Sequence, residues 1–198
     1  MNLMDSIKDE AKKYGGSTGS DDFFQFEEGV NRLRILYQPK VIALHFTVEG
    51  QKPTVCVGID EGCTLHGESM KKPAIKLATY VLDRKDNKVK LAELPLSLSY
   101  SLNDLQQDSD FSFEGFPMPY DVKITHDPKN SDPKAKYRLV ASPKQEPLTD
   151  EEQASLNEAL KKMTPEQYVE RRKQKQSETV SPRNDESGDE VDPKDIPF

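Results

Sequence analysis

From Phe23 to about Ser142, apolar and polar residues alternate with the period of two that puts every second side chain on one face of a strand. Phe23-Phe24-Gln25-Phe26 leads through Gly29 into Arg32-Leu33-Arg34-Ile35-Leu36-Tyr37. There Leu33, Ile35 and Tyr37 fall on one face and Arg32 and Arg34 on the other. Ile75–Leu82 and Lys88–Leu94 flank the turn-forming run Asp83-Arg84-Lys85-Asp86-Asn87 and read as a hairpin, with Lys88 and Lys90 opposing Val89 and Leu91 in its second arm. Leu96–Gln107 fits a short helix. Tyr120–Thr125 and Tyr137–Ala141 read as a further strand pair with Val122 and Ile124 inward, joined by the polar loop Asp127–Lys136.

Past Pro147 the period lengthens to that of a helix, to about Gln174. Thr149 and Glu152 form a capping box ahead of Leu156, Leu160 and Met163. Thr164-Pro165 restarts a second, highly charged helix. At the other end, Ser6 to Tyr14 suits a short helix stopped by Gly15-Gly16 and the polar run Ser17-Thr18-Gly19-Ser20. Gln176–Lys194 holds almost no apolar residue and is expected to be disordered. The chain thus divides into an arm over residues 1–20, a β core over 21–148, a helical segment over 149–175 and an acidic tail over 176–198. Some five short strands, one hairpin and one intervening helix predict a mainly β fold, an OB-fold-type small β-barrel. Periodicity alone leaves an SH3-like barrel and a small sandwich open.

With 198 residues, 34% hydrophobic and 32% charged, the chain suffices for one modest core with appendages. No run approaches the ~20 apolar residues of a membrane helix. The opening MNLMDSIKDEAKKYGG has no long apolar segment of a secretory leader. A soluble, cytoplasmic protein with no membrane partner is expected. The net charge of −7 is lopsided: from Ser177 onward seven acids face two bases, and elsewhere 28 acids nearly balance 26 bases. Lys71–Lys90 is a basic strip, with seven bases and two acids.

Three constellations carry chemistry. Cys56 and Cys63, the only cysteines, share one 22-residue window with His45 and His66, spaced His-x10-Cys-x6-Cys-x2-His. Two thiolates and two imidazoles suit tetrahedral Zn²⁺, and four protein ligands make such a site structural. Gly58, Gly62 and Gly67 supply the turns. The alternative is a pair of buried thiols with His45 as a core histidine. The second constellation is a DNA-contact set. A groove for single-stranded DNA needs cations for phosphates and rings for bases, each stack contributing ~1–3 kcal/mol. Candidates are Arg32, Arg34, Tyr37, Tyr80, Arg84, Lys88, Lys90, Phe111, Tyr120, Tyr137 and Arg138, although core packing or a solvated face explains any one of them singly. The third is the ending Asp195-Ile196-Pro197-Phe198, preceded by Asp185, Glu186, Asp189, Glu190 and Asp192. An exposed apolar tip makes sense if it enters a partner's pocket with the terminal carboxylate held by basic groups; otherwise the tail only solubilises. No Ser/His/Asp ordering or phosphate-cradling Gly loop stands out, and a four-ligand metal leaves no position for water, so no enzyme is expected.

Phe26-Glu27-Glu28-Gly29-Val30-Asn31-Arg32-Leu33-Arg34-Ile35-Leu36, then Tyr120-Asp121-Val122-Lys123-Ile124, then Lys136-Tyr137-Arg138-Leu139-Val140 resemble, in that order, the core of phage-type single-stranded DNA-binding (helix-destabilising) proteins. The resemblance spans roughly residues 23–148. The His45–His66 window is similar to the zinc-binding insertion of those proteins. They typically use one His and three Cys, and His66 stands here where a third Cys is expected. The ending on Phe198 resembles the tail of bacterial single-stranded DNA-binding proteins, whose tip docks replication and repair partners. The resemblance implies a non-catalytic protein of bacterial or phage-infected cytoplasm. It would coat single-stranded DNA during replication, recombination and repair, and recruit proteins through Asp195, Ile196, Pro197 and Phe198. Two other functions stay open: an RNA-binding OB-fold module, and a zinc-stabilised adaptor that docks a replication enzyme without touching nucleic acid.

Overall fold

Strand β1, Gly29–Ile35, starts at a glycine with φ +98°, a region where a Cβ is strained. The Asn31 side chain accepts from the Glu27 N–H at 2.9 Å and donates to the Glu27 and Gly29 carbonyls, which fixes the direction in which the strand departs. Six more strands follow: β2 Lys40–His45, β3 Thr54–Val55, β4 Ala74–Asp83, β5 Lys88–Pro95, β6 Tyr120–His126 and β7 Tyr137–Gln145. The computed structural model describes residues 22–46, 53–58, 60, 63, 65–66, 72–132 and 135–179. The arm expected over residues 1–20 and the tip Asp195–Phe198 lie outside them.

The expected hairpin is β4–β5. Asp83 pairs with Lys88 across a loop in which Asn87 takes φ +54°, and the Asp83 and Asp86 carboxylates accept from the Lys85 and Lys88 N–H groups at 2.9 and 3.2 Å. The seven strands form one antiparallel sheet ordered β3-β2-β4-β1-β6-β7, with β5 also paired to β4. Along β4, β2 lies against Ala74–Ala78 and β1 against Val81–Asp83, so β1 and β2 act as one long strand broken at Leu36–Pro39. Among the described residues no ladder joins β5 to β7, and the sheet stays open where the sequence pattern suggests a closed barrel. Helix α1, Ser97–Gln107, packs against both strands and sends Leu98 and Leu102 into the core.

One face of the sheet buries Leu33, Ile35, Val81, Leu94, Val122 and Ile124 together with α1. The opposite face is divided. Over β2, β3, β4 and β5 it is covered by α2, Asp150–Lys162, and α3, Pro165–Thr179. Leu156, Ala159 and Met163 pack on Leu36, Tyr80, Leu82 and Leu91, and Val169 packs on Ile42, Leu44, Val55 and Ala78. The expected capping box opens α2: Thr149 Oγ1 accepts from the Glu152 N–H at 3.2 Å, and Glu152 Oε2 from the Thr149 N–H at 3.0 Å. Helix α3 continues past the boundary read from sequence, so Gln176–Thr179 belong to it and not to the tail.

At the seam between the covered and uncovered halves, Asp121 is buried at 3% exposure and meets three guanidinium groups. Arg32 and Arg34 donate from Nε at 3.0 and 2.9 Å, and Arg84 donates from Nε and Nη2 at 3.0–3.1 Å. Arg34, itself 1% exposed, also donates to the Glu146 carbonyl at 2.6 Å, and Arg84 bonds Glu152 at the start of α2. The β6–β7 ladder shifts register here: Val122 pairs with Ala141 but Tyr120 with Gln145. Pro143, which has no N–H to donate, falls in that shift.

Burial alone would raise the Asp121 carboxyl, but Arg84 and then Arg34 hold it below the usual carboxylate range. Because the folded state binds this proton more weakly than the unfolded chain, the stabilisation is complete above about pH 4 and disappears as pH falls through the depressed folded value. Asp121→Asn leaves buried guanidinium charge uncompensated and is expected to cost about 3–5 kcal/mol in urea unfolding at neutral pH. It should also flatten the acid limb of the stability curve; an unchanged limb would show that Asp121 is not its source.

Candidate metal centre and nucleic-acid interface

His45 closes β2 opposite Thr54, and the Cys56 N–H, just past β3, donates to the Ala43 carbonyl at 2.8 Å. The ladder itself therefore sets these two ligands side by side. Gly58 has φ +104°, and its carbonyl accepts from the Cys63 N–H at 3.0 Å, which turns the chain back. Cys56 Sγ lies 3.0 Å from His66 Nε2 and Cys63 Sγ 3.6 Å from His45 Nε2, while the two imidazoles meet edge-on at 4.9 Å. All four ligand atoms lie within 4.8 Å of one another. A tetrahedral ion with bonds of ~2.0–2.3 Å holds its ligands about 3.3–3.8 Å apart, so shifts of about 1 Å close this set on a metal.

The donor chemistry fits. Burial, assisted by His66, lowers His45 below the usual imidazole range and keeps its lone pair available. Burial also raises the Cys56 thiol, against a hydrogen bond from the Gly58 backbone and with the Cys63 thiol alongside. A bound ion would displace thiol protons, as metals at cysteines do. The four residues singled out by spacing are thus brought together, and they could hold a metal ion. Helix α3 ties down the base of this segment: Arg172 donates to the Pro53 carbonyl at 2.9 Å and to Glu93 of β5 at 2.7 Å.

The candidate DNA contacts separate into three groups. Arg34, Tyr80 and Tyr120 are buried and, contrary to expectation, offer no surface to a DNA strand. Arg34 is consumed by Asp121; Tyr80 lies under α2, its hydroxyl donating to the Met163 carbonyl at 2.8 Å; Tyr120 is a core ring whose hydroxyl donates to the Phe111 carbonyl. Tyr37, Arg84, Lys90, Phe111 and Tyr137 are half-buried. Of these, Lys90 is held by Asp83 and Asp86 at 2.8 and 2.7 Å, and Tyr137 stacks on His126 at 4.6 Å. Arg32, Lys88 and Arg138 are exposed. The basic strip is also largely neutralised by acids distant in sequence, since Lys76 faces Glu93, Arg84 faces Asp121 and Glu152, and Lys85 faces Glu27.

The uncovered half of the divided face has its own order. Across β1, β6 and β7 the register places Val30, Thr125 and Arg138 in one row and Arg32, Lys123 and Val140 in the next. All six are exposed, Val30 at 68% and Val140 at 62%. These rows present three cations, of which Arg32 is bonded to Asp121 beneath the face while Lys123 and Arg138 face no carboxylate among the described residues. Lys123 is absent from the candidates drawn from sequence, although the inward alternation of Val122 and Ile124 already points it outward.

No protein-family model, curated protein or solved structure matches this chain.

Purified protein is expected to carry about one metal ion per chain, measured by elemental analysis. Cys56→Ser or Cys63→Ser should remove it and lower the melting temperature. Adding a chelator to the wild type should raise thiol reactivity; thiols equally reactive before and after chelation would show that no ion is held.

Proposed function

We propose that the protein is a non-catalytic single-stranded DNA-binding protein. The observation that supports this most directly is the exposed face on which Arg32, Lys123 and Arg138 stand in register beside Val30 and Val140. Phosphates would pair with the three cations while the apolar valines take contact from the strand, with little dependence on sequence. The strand order favours an OB-type reading. A long broken first strand, β1 with β2, pairs with β4; β4 and β5 form a hairpin; α1 intervenes; and β6 returns beside β1. That fold is often only partly closed. The Cys/His set suits Zn²⁺ in a structural role, since its four protein ligands fill a tetrahedron. The tip Asp195-Ile196-Pro197-Phe198 would dock replication, recombination or repair proteins, with Ile196 and Phe198 filling an apolar pocket.

Fluorescence titration with oligo(dT) at several salt concentrations tests the face. Lys123→Glu with Arg138→Glu should weaken binding by about tenfold or more and reduce the log–log salt slope by about 1.4, at ~0.7 per lost phosphate contact. Lys161→Glu, exposed on α2, should change neither quantity. Tighter binding of the matched ribo-oligonucleotide would favour an RNA module. Absence of binding to either would leave the adaptor. Removing Phe198 should abolish partner binding and leave affinity for oligo(dT) unchanged.

A further inference from the structure

A cavity of about 250 Å³ opens between α1, the β1–β2 connection and the loop before β6, with Gln38, Ser99, Asn103, Gln106, Phe113 and Phe116 in its wall. None of its lining residues is ionisable. That sets it apart from the 620 Å³ space beneath α2, lined by Asp22, Lys88, Glu158 and Lys162, and from the 520 Å³ cleft around Arg32, Arg84 and Asp121. A charged ligand would find no counter-ion in the wall, and a purely apolar one would make no use of its three side-chain amides. Each amide offers both donors and an acceptor. Gln38 and Gln106 are exposed and have no hydrogen-bond partner among the described residues, whereas Asn103 Oδ1 accepts from Gln107 at 3.3 Å. The apolar part is aromatic: Phe113 and the half-buried Phe116 meet edge to face at 5.6 Å. Leu77 and Leu102 add aliphatic side chains to this wall.

Neutral amides arranged around a ring suit a planar, uncharged heterocycle with donors and acceptors on its edge. Unpaired bases of a single strand are recognised in this way, by stacking and edge hydrogen bonds. The cavity opens on the α1 side of the sheet, opposite the cationic rows. Gln38 stands at the break between β1 and β2, six residues after Arg32, so the two Cα atoms are at most ~22 Å apart, and a strand that leaves the rows and turns around this break comes to the cavity. Building on the single-stranded DNA reading above, we propose that this cavity takes one splayed nucleobase of the bound strand, hydrogen-bonded by Gln38, Asn103 and Gln106 against Phe116.

Two oligonucleotides of equal length and charge test this, oligo(dT) and a fully abasic strand. Gln38→Ala combined with Gln106→Ala removes two exposed amides. It is expected to weaken oligo(dT) binding by about tenfold, within the ~1–3 kcal/mol a bound base contributes. Affinity for the abasic strand and the salt slope should not change. Equal loss on both strands, or loss on neither, would overturn the assignment. If the wild-type chain binds neither strand, the single-strand reading itself fails, and free thymidine then decides about the cavity. Shifts of the Gln38, Asn103 and Gln106 side-chain amide resonances with thymidine but not with ribose phosphate would uphold a base pocket; no shift would reject it.

Discussion

A carboxylate shut away from water keeps its charge only where cations come to it, and Asp121 draws three of them from two elements. Arg32 and Arg34 reach it from β1, and Arg84 from the tip of the β4–β5 hairpin. Through Arg84 it also touches Glu152, which at the same time closes the capping box of α2. One buried charge therefore connects the first strand, the hairpin, the β6–β7 pair and the start of the C-terminal helices. It also fixes register. A slip of β1 by one residue would turn Arg34 into the apolar core beside Val81 and Val122, and would bring Leu33 and Ile35 out to face Asp121.

The sheet's division into a covered and an uncovered half follows from where that charge sits. On one side of it, helices α2 and α3 bury Tyr80, Leu82, Ile42 and Leu44. On the other, β1, β6 and β7 stay bare and carry Lys123 and Arg138 next to valine, with Arg32 at the boundary held by Asp121. The Cys/His segment belongs with the covered half, because Val169 packs on β2 and β3 and Arg172 spans Pro53 and Glu93. Tyr168 adds to this anchor. Its hydroxyl bonds Glu93 at 2.8 Å, and burial and then that carboxylate push it up to about 12, so it remains a neutral donor throughout the physiological range. Helices, Cys/His segment and hairpin are in this sense one body.

Much of this was legible in the sequence wherever the cause was local. Alternation in Arg32–Ile35 and Tyr120–Thr125, the Asp- and Asn-rich hairpin turn, and Thr149 with Glu152 each act over a few residues, and each appears as expected. The alternation stops where β1 ends, and Tyr37 packs with Leu36 on the opposite face. The Cys/His set was legible for a similar reason: its ligands lie in one short window, and a two-residue strand is enough to bring His45 and Cys56 together. Failures arose where a distant element decided the outcome. Tyr80 alternates like a surface ring, but α2 returns from some eighty residues away to cover it. Arg34 sits on the polar face of its strand, yet Asp121 and Glu146 draw it inside. Counting charge along Lys71–Lys90 suggested a free basic strip because the neutralising acids, Glu27, Glu93, Asp121 and Glu152, lie elsewhere in the chain. Closure of the barrel is a matter of which strand edges meet, and no local period encodes that.

The register shift opposite Asp121 bears on how the molecule opens. It splits the β6–β7 ladder into two stretches: Val122 to His126 with Tyr137 to Ala141, and the single pair of Tyr120 with Gln145. Cooperative units in a folded chain tend to end where a ladder is interrupted. The longer stretch, which carries Arg138 and Val140 on the bare face and Leu139 and Ala141 against the core, is thereby set off in register from the arginines gathered on Asp121, so the bare face and the buried charge belong to neighbouring units of one sheet.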